Sequence, residues 1–203
     1  MTLSRSGSTA RRADAERNRD KILATARAAL AGSDAPVSMA EISRLAGVGM
    51  ATIYRNFSSR RELLEALYTD EVNAICDAAM TIEAETPGAV LTAWLHRFFA
   101  FFTHKQQIAS ELLKHSGGSN PVFSESRARV IAAGRPLLRS AQRAHEVRED
   151  LTLEQILDMI IAIATIHDDA GYLEPILQTA LDGLRPPANA LSVAGSSDHS
   201  PAS

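Results

Sequence analysis

From Ala13 to about residue 185, apolar side chains return every three or four positions, and no stretch of convincing length alternates apolar with polar. A return every 3.6 residues buries one stripe of a helix, whereas a half-buried strand needs a period of two, so the chain has to fold as packed helices. Gly and Pro punctuate the pattern at Gly47, Gly49, Pro87-Gly88, Gly117 to Pro121 and Pro186-Pro187. About nine helices follow, over 14–31, 39–46, 50–57, 59–83, 89–105, 107–115, 122–146, 153–167 and 171–185. The first places Ile22, Leu23, Ala26 and Leu30 on one face. The fourth turns Leu63, Leu64, Leu67, Val72, Ile75, Cys76 and Ala79 inward. The fold class is all-α.

A chain of 203 residues is long enough for a small head on a larger body. No run of about 18 apolar residues occurs, so no membrane span is expected. Residues 1–12 are Ser, Thr, Gly and Arg without an apolar core, which reads as a flexible basic arm and not a secretory signal. The lone Cys76 excludes an internal disulfide and fits a reducing compartment. The chain is therefore expected in the cytoplasm. Its formal charge of −3 is unevenly spread. Residues 1–65 hold eleven Lys and Arg against seven Asp and Glu, and residues 66–203 hold ten against seventeen. A basic head for a polyanion on an acidic body is the expectation. Residues 188–203, rich in Ala, Ser and Pro, read as a disordered tail.

The segment SMAEISRLAGVGMATIYRNF, residues 38–57, carries the function. Ser38 and Glu41 have the spacing of a capping box, in which the hydroxyl takes an orphan amide and the carboxylate reaches back to the cap. Ile42, Leu45 and Val48 are expected to face inward, and Gly47 suits the left-handed turn that ends a helix. Ile53 and Phe57, four apart, anchor the next helix. Met50, Ala51, Thr52, Tyr54 and Arg55 stay on its outer side. Ser59 and Glu62 repeat the capping-box spacing. Two short helices on a tight Gly turn make a helix-turn-helix, whose second helix fits a major groove. An ordinary helical corner has the same spacing, but its outer face need not carry such residues. Thr and Tyr hydroxyls suit phosphate oxygens and Arg55 suits a guanine edge. Arg60 and Arg61, in a helix's first turn, oppose its dipole at a cost of a few tenths (about 0.3) of a kcal/mol unless an anion faces them.

The stretch AEISRLAGVGMATIYRNFSSRRELLEAL resembles the head of the TetR (TetR/AcrR) family of transcriptional regulators. The elements that carry the likeness are Ala46-Gly47-Val48, Thr52-Ile53-Tyr54-Arg55-Asn56-Phe57 and Arg61-Glu62-Leu63-Leu64. RRADAERNRDKILATA resembles the family's first helix. The likeness covers residues 11–68; the remainder agrees with the family in helix number and length only, and the branch it resembles is the one with an SbtR-like C-terminal domain. The resemblance implies a basic arm (1–12), a three-helix DNA-binding head (13–60), an effector-binding and dimerisation body (61–186) and a tail (187–203). It implies that Ser38, Tyr54 and Arg60 hold backbone phosphates and that Thr52 holds a phosphate or a base edge. Met50, Ala51 and Arg55 would face the bases, with Arg44 and Gly49 also at the DNA surface. Gly49 stands where the family commonly has Ser or Thr, and Met50 where a polar residue is frequent. Met50 and Ala51 would then read thymine methyls, with Arg55 as the polar discriminator. Arg5, Arg11 and Arg12 are placed to reach a minor groove or to lie in solvent.

Five of the ten aromatic residues lie within 94–102, and Trp94, Phe98, Phe101 and Phe102 form one helical stripe. Such a stripe is a core by itself; with the resemblance it implies the lining of a hydrophobic or aromatic effector's pocket. His96, His104, His115 and Asp158 are its polar candidates, Asp158 being equally suited to solvent or a dimer seam. Ile156, Met159, Ile160 and Ile163, with Tyr172, Ile176, Leu177, Ala180 and Leu184, outline two apolar faces for pairing two chains through a four-helix bundle. Two heads about 34–36 Å apart would read a near-palindromic site on double-stranded DNA. No His-Glu-x-x-His, paired-cysteine or phosphate-loop motif occurs, so no metal, cofactor or catalysis is expected. The competing reading is a helical protein-interaction module without DNA binding, whose affinity for a duplex would not fall with salt.

Overall fold

A computed structural model of the chain describes residues 6–31, 37–114, 121–166 and 170–186, and its regular structure is entirely helical there. Eight helices follow in order: α1 (Ser6–Ala31), α2 (Met39–Ala46), α3 (Met50–Asn56), α4 (Arg60–Thr81), α5 (Pro87–Lys114), α6 (Pro121–Arg143), α7 (Leu153–Ala164) and α8 (Ala170–Asp182). Most bounds differ from the sequence expectation by one to three residues, and two departures are larger. The helices expected at 89–105 and 107–115 are one, α5, because Lys105, Gln106 and Gln107 are polar without breaking a helix. Helix α1 begins at Ser6, so residues 6–12 of the expected arm are helical: Ala10, Arg11, Arg12 and Ala13 are strong helix formers. Pro87 and Pro121 each open a helix, where a missing N–H costs nothing.

The chain divides into two compact units. One runs to Glu71 and takes in His104–Phe123; the other comprises Val72–Thr103 and the residues from Ser124 onward. In the first, α1 lies against α2 and α3, which lie against each other. Ile22, Ala26, Ile42, Ala46, Ile53, Phe57, Leu63 and Leu67 form its core, each at most 1% exposed. Truncating a buried Phe such as Phe57 to Ala costs about 3–5 kcal/mol. Arg27 of α1 ties this core to the far end of the head's part of α4, bonding Glu71 at 2.5 Å and Asp70 at 2.7 Å. Tyr68 and Phe123 meet edge to face, their centroids 5.0 Å apart.

In the second unit the core gathers around Trp94, which is fully buried. Its indole Nε1 donates to the Ile75 carbonyl of α4 at 3.0 Å, and its ring stacks on Phe98. The face of α6 opposite carries Gly134, where a Cβ would lie 2.6 Å from Cζ3 of Trp94 and closer still to Cη2. Only glycine leaves room for the ring there. Helix α7 starts with a complete capping box: Thr152 Oγ1 accepts from the Gln155 amide (3.3 Å) and Gln155 Oε1 accepts from the Thr152 amide (2.9 Å). Such a cap contributes about 1 kcal/mol.

Candidate nucleic-acid interface

The Ser38 hydroxyl accepts the Glu41 amide at 3.1 Å and opens α2. The other half of the expected box is engaged elsewhere. The Glu41 carboxylate takes two bonds from Arg44, at 2.6 and 3.1 Å, and this pairing holds its pKa below the ordinary value. Arg44 thus reaches the surface already paired. Helix α2 ends at Gly47, whose φ of 61° and ψ of 36° are left-handed. The chain turns there through Gly47 N to Arg44 O (3.2 Å) and Val48 N to Ser43 O (3.1 Å). Ser43 adds a bond that sequence reading missed: its buried hydroxyl donates to the Val48 carbonyl at 2.6 Å, locking the turn. The spacing of Ser43, four residues after Met39 and three before Ala46 on the inner face of α2, was the available signal.

One inward assignment in α2 changes. Leu45 is 48% exposed, and Ala46, four residues after Ile42, takes the inner place. An eight-residue helix has a narrow inner face, and the i to i+4 step from Ile42 holds it better than i+3.

Helix α3 starts at Gly49 without a side-chain cap. Gly49 has φ −71°, and an added Cβ there would meet nothing within 4 Å, so neither backbone nor space excludes the Ser or Thr common at this place. Ile53 and Phe57 are completely buried, which fixes the opposite face outward. Met50 (40% exposed) and Tyr54 (49%) stand on it with Ala51 and Arg55, and Thr52 is half-buried beside them. The Arg55 guanidinium folds along the helix, 3.3 Å from Thr52 Oγ1 and 3.4 Å from Ala51 O. These are long, exposed bonds that a stronger acceptor displaces. Arg60 at the start of α4 donates to the Val37 carbonyl, so it links α4 to the residues before α2. The Ser59 hydroxyl takes the Glu62 amide (3.2 Å), while the Glu62 carboxylate reaches the amide and hydroxyl of Ser58 instead of Ser59. Those two bonds hold the Glu62 carboxyl below its ordinary pKa.

The body candidates separate. Trp94, Phe98 and Phe101 are buried, and Phe102, half-buried, packs on Phe98 and Phe101 at 5.0 and 5.2 Å. These rings pack against one another. Asp158 does not join them: it is exposed and takes both arms of Arg127, at 2.9 and 3.2 Å. His115 lies outside the described residues, as does the His104 side chain. His96 lines a different feature, an open groove of about 820 Å³ bounded by Thr92, Glu146, Gln178, Asp182 and Arg185.

Five residues expected at the dimer seam are instead core of the single chain: Ile156, Ile160, Ile163, Leu177 and Leu184 are 1%, 0%, 8%, 0% and 3% exposed. Neighbouring helices cover α7 from within, which its own periodicity could not reveal. Tyr172 is 55% exposed, with Ile176 and Ala180 half-buried on the same helix.

Two short helices locked by a left-handed glycine, with the second offering a polar and aromatic outer face, constitute a helix-turn-helix. The comparisons agree. Residues 22–67 match the bacterial regulatory proteins of the tetR family, and residues 86–186 match the transcriptional regulator SbtR-like C-terminal domain. A TetR transcriptional regulator from Streptomyces coelicolor is 34% identical with a TM-score of 0.71, over 84% of this chain and 99% of that one. A TetR regulatory protein from Mycobacterium vanbaalenii is 30% identical with a TM-score of 0.66, over 86% and 99%. An uncharacterized HTH-type transcriptional regulator from Haemophilus influenzae is 30% identical over 99 residues, and the match spans 47% of each chain. The chain belongs to the TetR family of transcriptional regulators, with a DNA-binding N-terminal domain and an SbtR-like C-terminal domain. No helix among the described residues is long and apolar enough to cross a membrane.

Proposed function

We propose that this regulator acts as a homodimeric repressor in the cytoplasm, bound to a near-palindromic operator and released by a hydrophobic or aromatic small molecule. The observation that carries the reading is α3, held by two fully buried anchors while Met50, Ala51, Tyr54 and Arg55 face outward together. Ser38, Tyr54 and Arg60 hold phosphates, Thr52 a phosphate or base edge, and Met50 and Ala51 lie on thymine methyls. Arg55 exchanges its weak helix contacts for a guanine edge. Arg44 and Gly49 complete the surface.

Pairing of two chains sets the heads about 34–36 Å apart on successive major grooves. Tyr172, Ile176 and Ala180 of α8, with the half-buried Met159 of α7, are the expected residues left for that seam. The effector enters among Trp94, Phe98, Phe101 and Phe102. Because these rings pack on one another, it selects a body conformation in which they have parted, and favours a head spacing unsuited to DNA. Reversing a 99:1 population needs about 5.5 kcal/mol of differential affinity.

Binding-site selection with the purified chain tests the reading. The expected product is a two-half-site duplex, bound less tightly as salt rises. Selection of no sequence, or retention on DNA that is indifferent to salt, rejects it.

A further inference from the structure

The last carbonyls of a helix must find donors outside it. In α3, Asn56 Nδ2 takes the Thr52 carbonyl and the Phe57 amide takes Ile53, each at 2.8 Å. The Asn56 carbonyl takes its donor from another helix: Arg19 Nη1 of α1, 37 residues earlier, at 3.2 Å. The same guanidinium lies over the fully buried Phe57 ring, with Cζ 4.4 Å from the centroid. Glu62 is near enough to feel its charge. Arg19 therefore meets the negative end of the helix dipole and an aromatic face at one point.

We infer that Arg19 is a positioning residue for base reading, setting the angle of α3 in the groove without touching DNA. Helix α3 has seven residues and one buried side chain of its own, Ile53, so its direction depends on what holds its two ends. The Gly47 turn holds the first and Arg19 with Phe57 the second. A planar guanidinium bonds the carbonyl with its edge while its face covers the ring. An ammonium serves only one of the two. This inference rests on α3 being the element that reads DNA.

The experiment uses the full chain with its selected operator and a scrambled duplex of equal length, each over a salt series. Arg19→Met should bind the operator about tenfold more weakly, the loss of a charged hydrogen bond propagated to the base contacts. Its affinity for the scrambled duplex and its salt dependence should match the parent's. Hydrogen exchange should quicken at residues 54–57 and stay unchanged in α2. Arg19→Lys should fall between. A salt slope shallower by about one unit per head would make Arg19 a phosphate ligand and overturn the inference. So would undiminished operator preference in Arg19→Met. If that variant does not fold, full operator preference in Arg19→Lys overturns it equally. A parent protein that selects no operator sinks the DNA reading itself, before either variant is made.

Discussion

Replacing Gly134 by Ala tests the packing of the body at its tightest place. A Cβ there lies 2.6 Å from Cζ3 of Trp94, within 3.0 Å of Leu153 Cδ2, and closest to Cη2 of the indole. Ordinary contact needs 3.4 Å or more, so the ring has to move by about 1 Å. It has little freedom to do so, since it is buried, stacked on Phe98 and bonded through Nε1 to Ile75. Overpacking of this kind costs about 1–3 kcal/mol, and loss of the indole bond adds about 1 kcal/mol. Better helix propensity of Ala over Gly returns about 1 kcal/mol. The net expectation is a destabilisation of about 1–3 kcal/mol, or a Tm lower by about 2–12 °C for a chain of this size. Urea unfolding followed by circular dichroism measures it. Emission of Trp94, the only tryptophan, reports the displaced ring directly. In a Trp94→Phe background the same Gly134→Ala change should cost less, because the two positions couple. An unchanged or higher midpoint with unaltered emission refutes the account of this contact.

Gly47→Ala has open space around it, the nearest atom being Lys21 Nζ at 3.8 Å, so its cost is backbone strain alone: about 1–2 kcal/mol by thermal unfolding, partly recovered by Gly47→Asn. Tyr68 is pushed up to about 12 by burial. A pKa raised on folding means that the unfolded chain ionises first, so the contribution is complete below about pH 10 and is lost as pH rises toward 12. Tyr68→Phe should flatten that alkaline fall in urea midpoints, and an equal slope would count against it. Tyr172→Glu at the exposed face of α8 should shift sedimentation from dimer to monomer, while the unfolding free energy of the separated chain, measured at a concentration too low for pairing, changes by no more than about 0.5 kcal/mol.

The head was legible because its determinants are local. A cap at Ser38, a glycine at the turn and anchors four apart lie within one short segment, and each acts on neighbours a few residues away. Leu45 went astray because an eight-residue helix gives too few turns to choose between two inner registers. Pairings across the chain left no local trace: Arg60 with the Val37 carbonyl, Asp158 with Arg127, and Arg19 with the end of α3. In the body, the apolar period of α7 marks a face that must be covered but not what covers it. That is why Ile156, Ile160 and Ile163 could be taken for a seam between chains. The aromatic stripe on α5 carried the same ambiguity, since ring-filled interior and ligand lining have one sequence pattern.

The inward isoleucines of α7 separate two events that many small dimers combine. A subunit whose oily interior is complete before it meets its mate has no need of that mate to stay folded. In the dimer proposed above, dilution should then part the subunits without melting them, and mixed partnerships between parent and altered chains should form by exchange in solution. Occupancy of a two-headed site would follow the abundance of the chain through partnering alone.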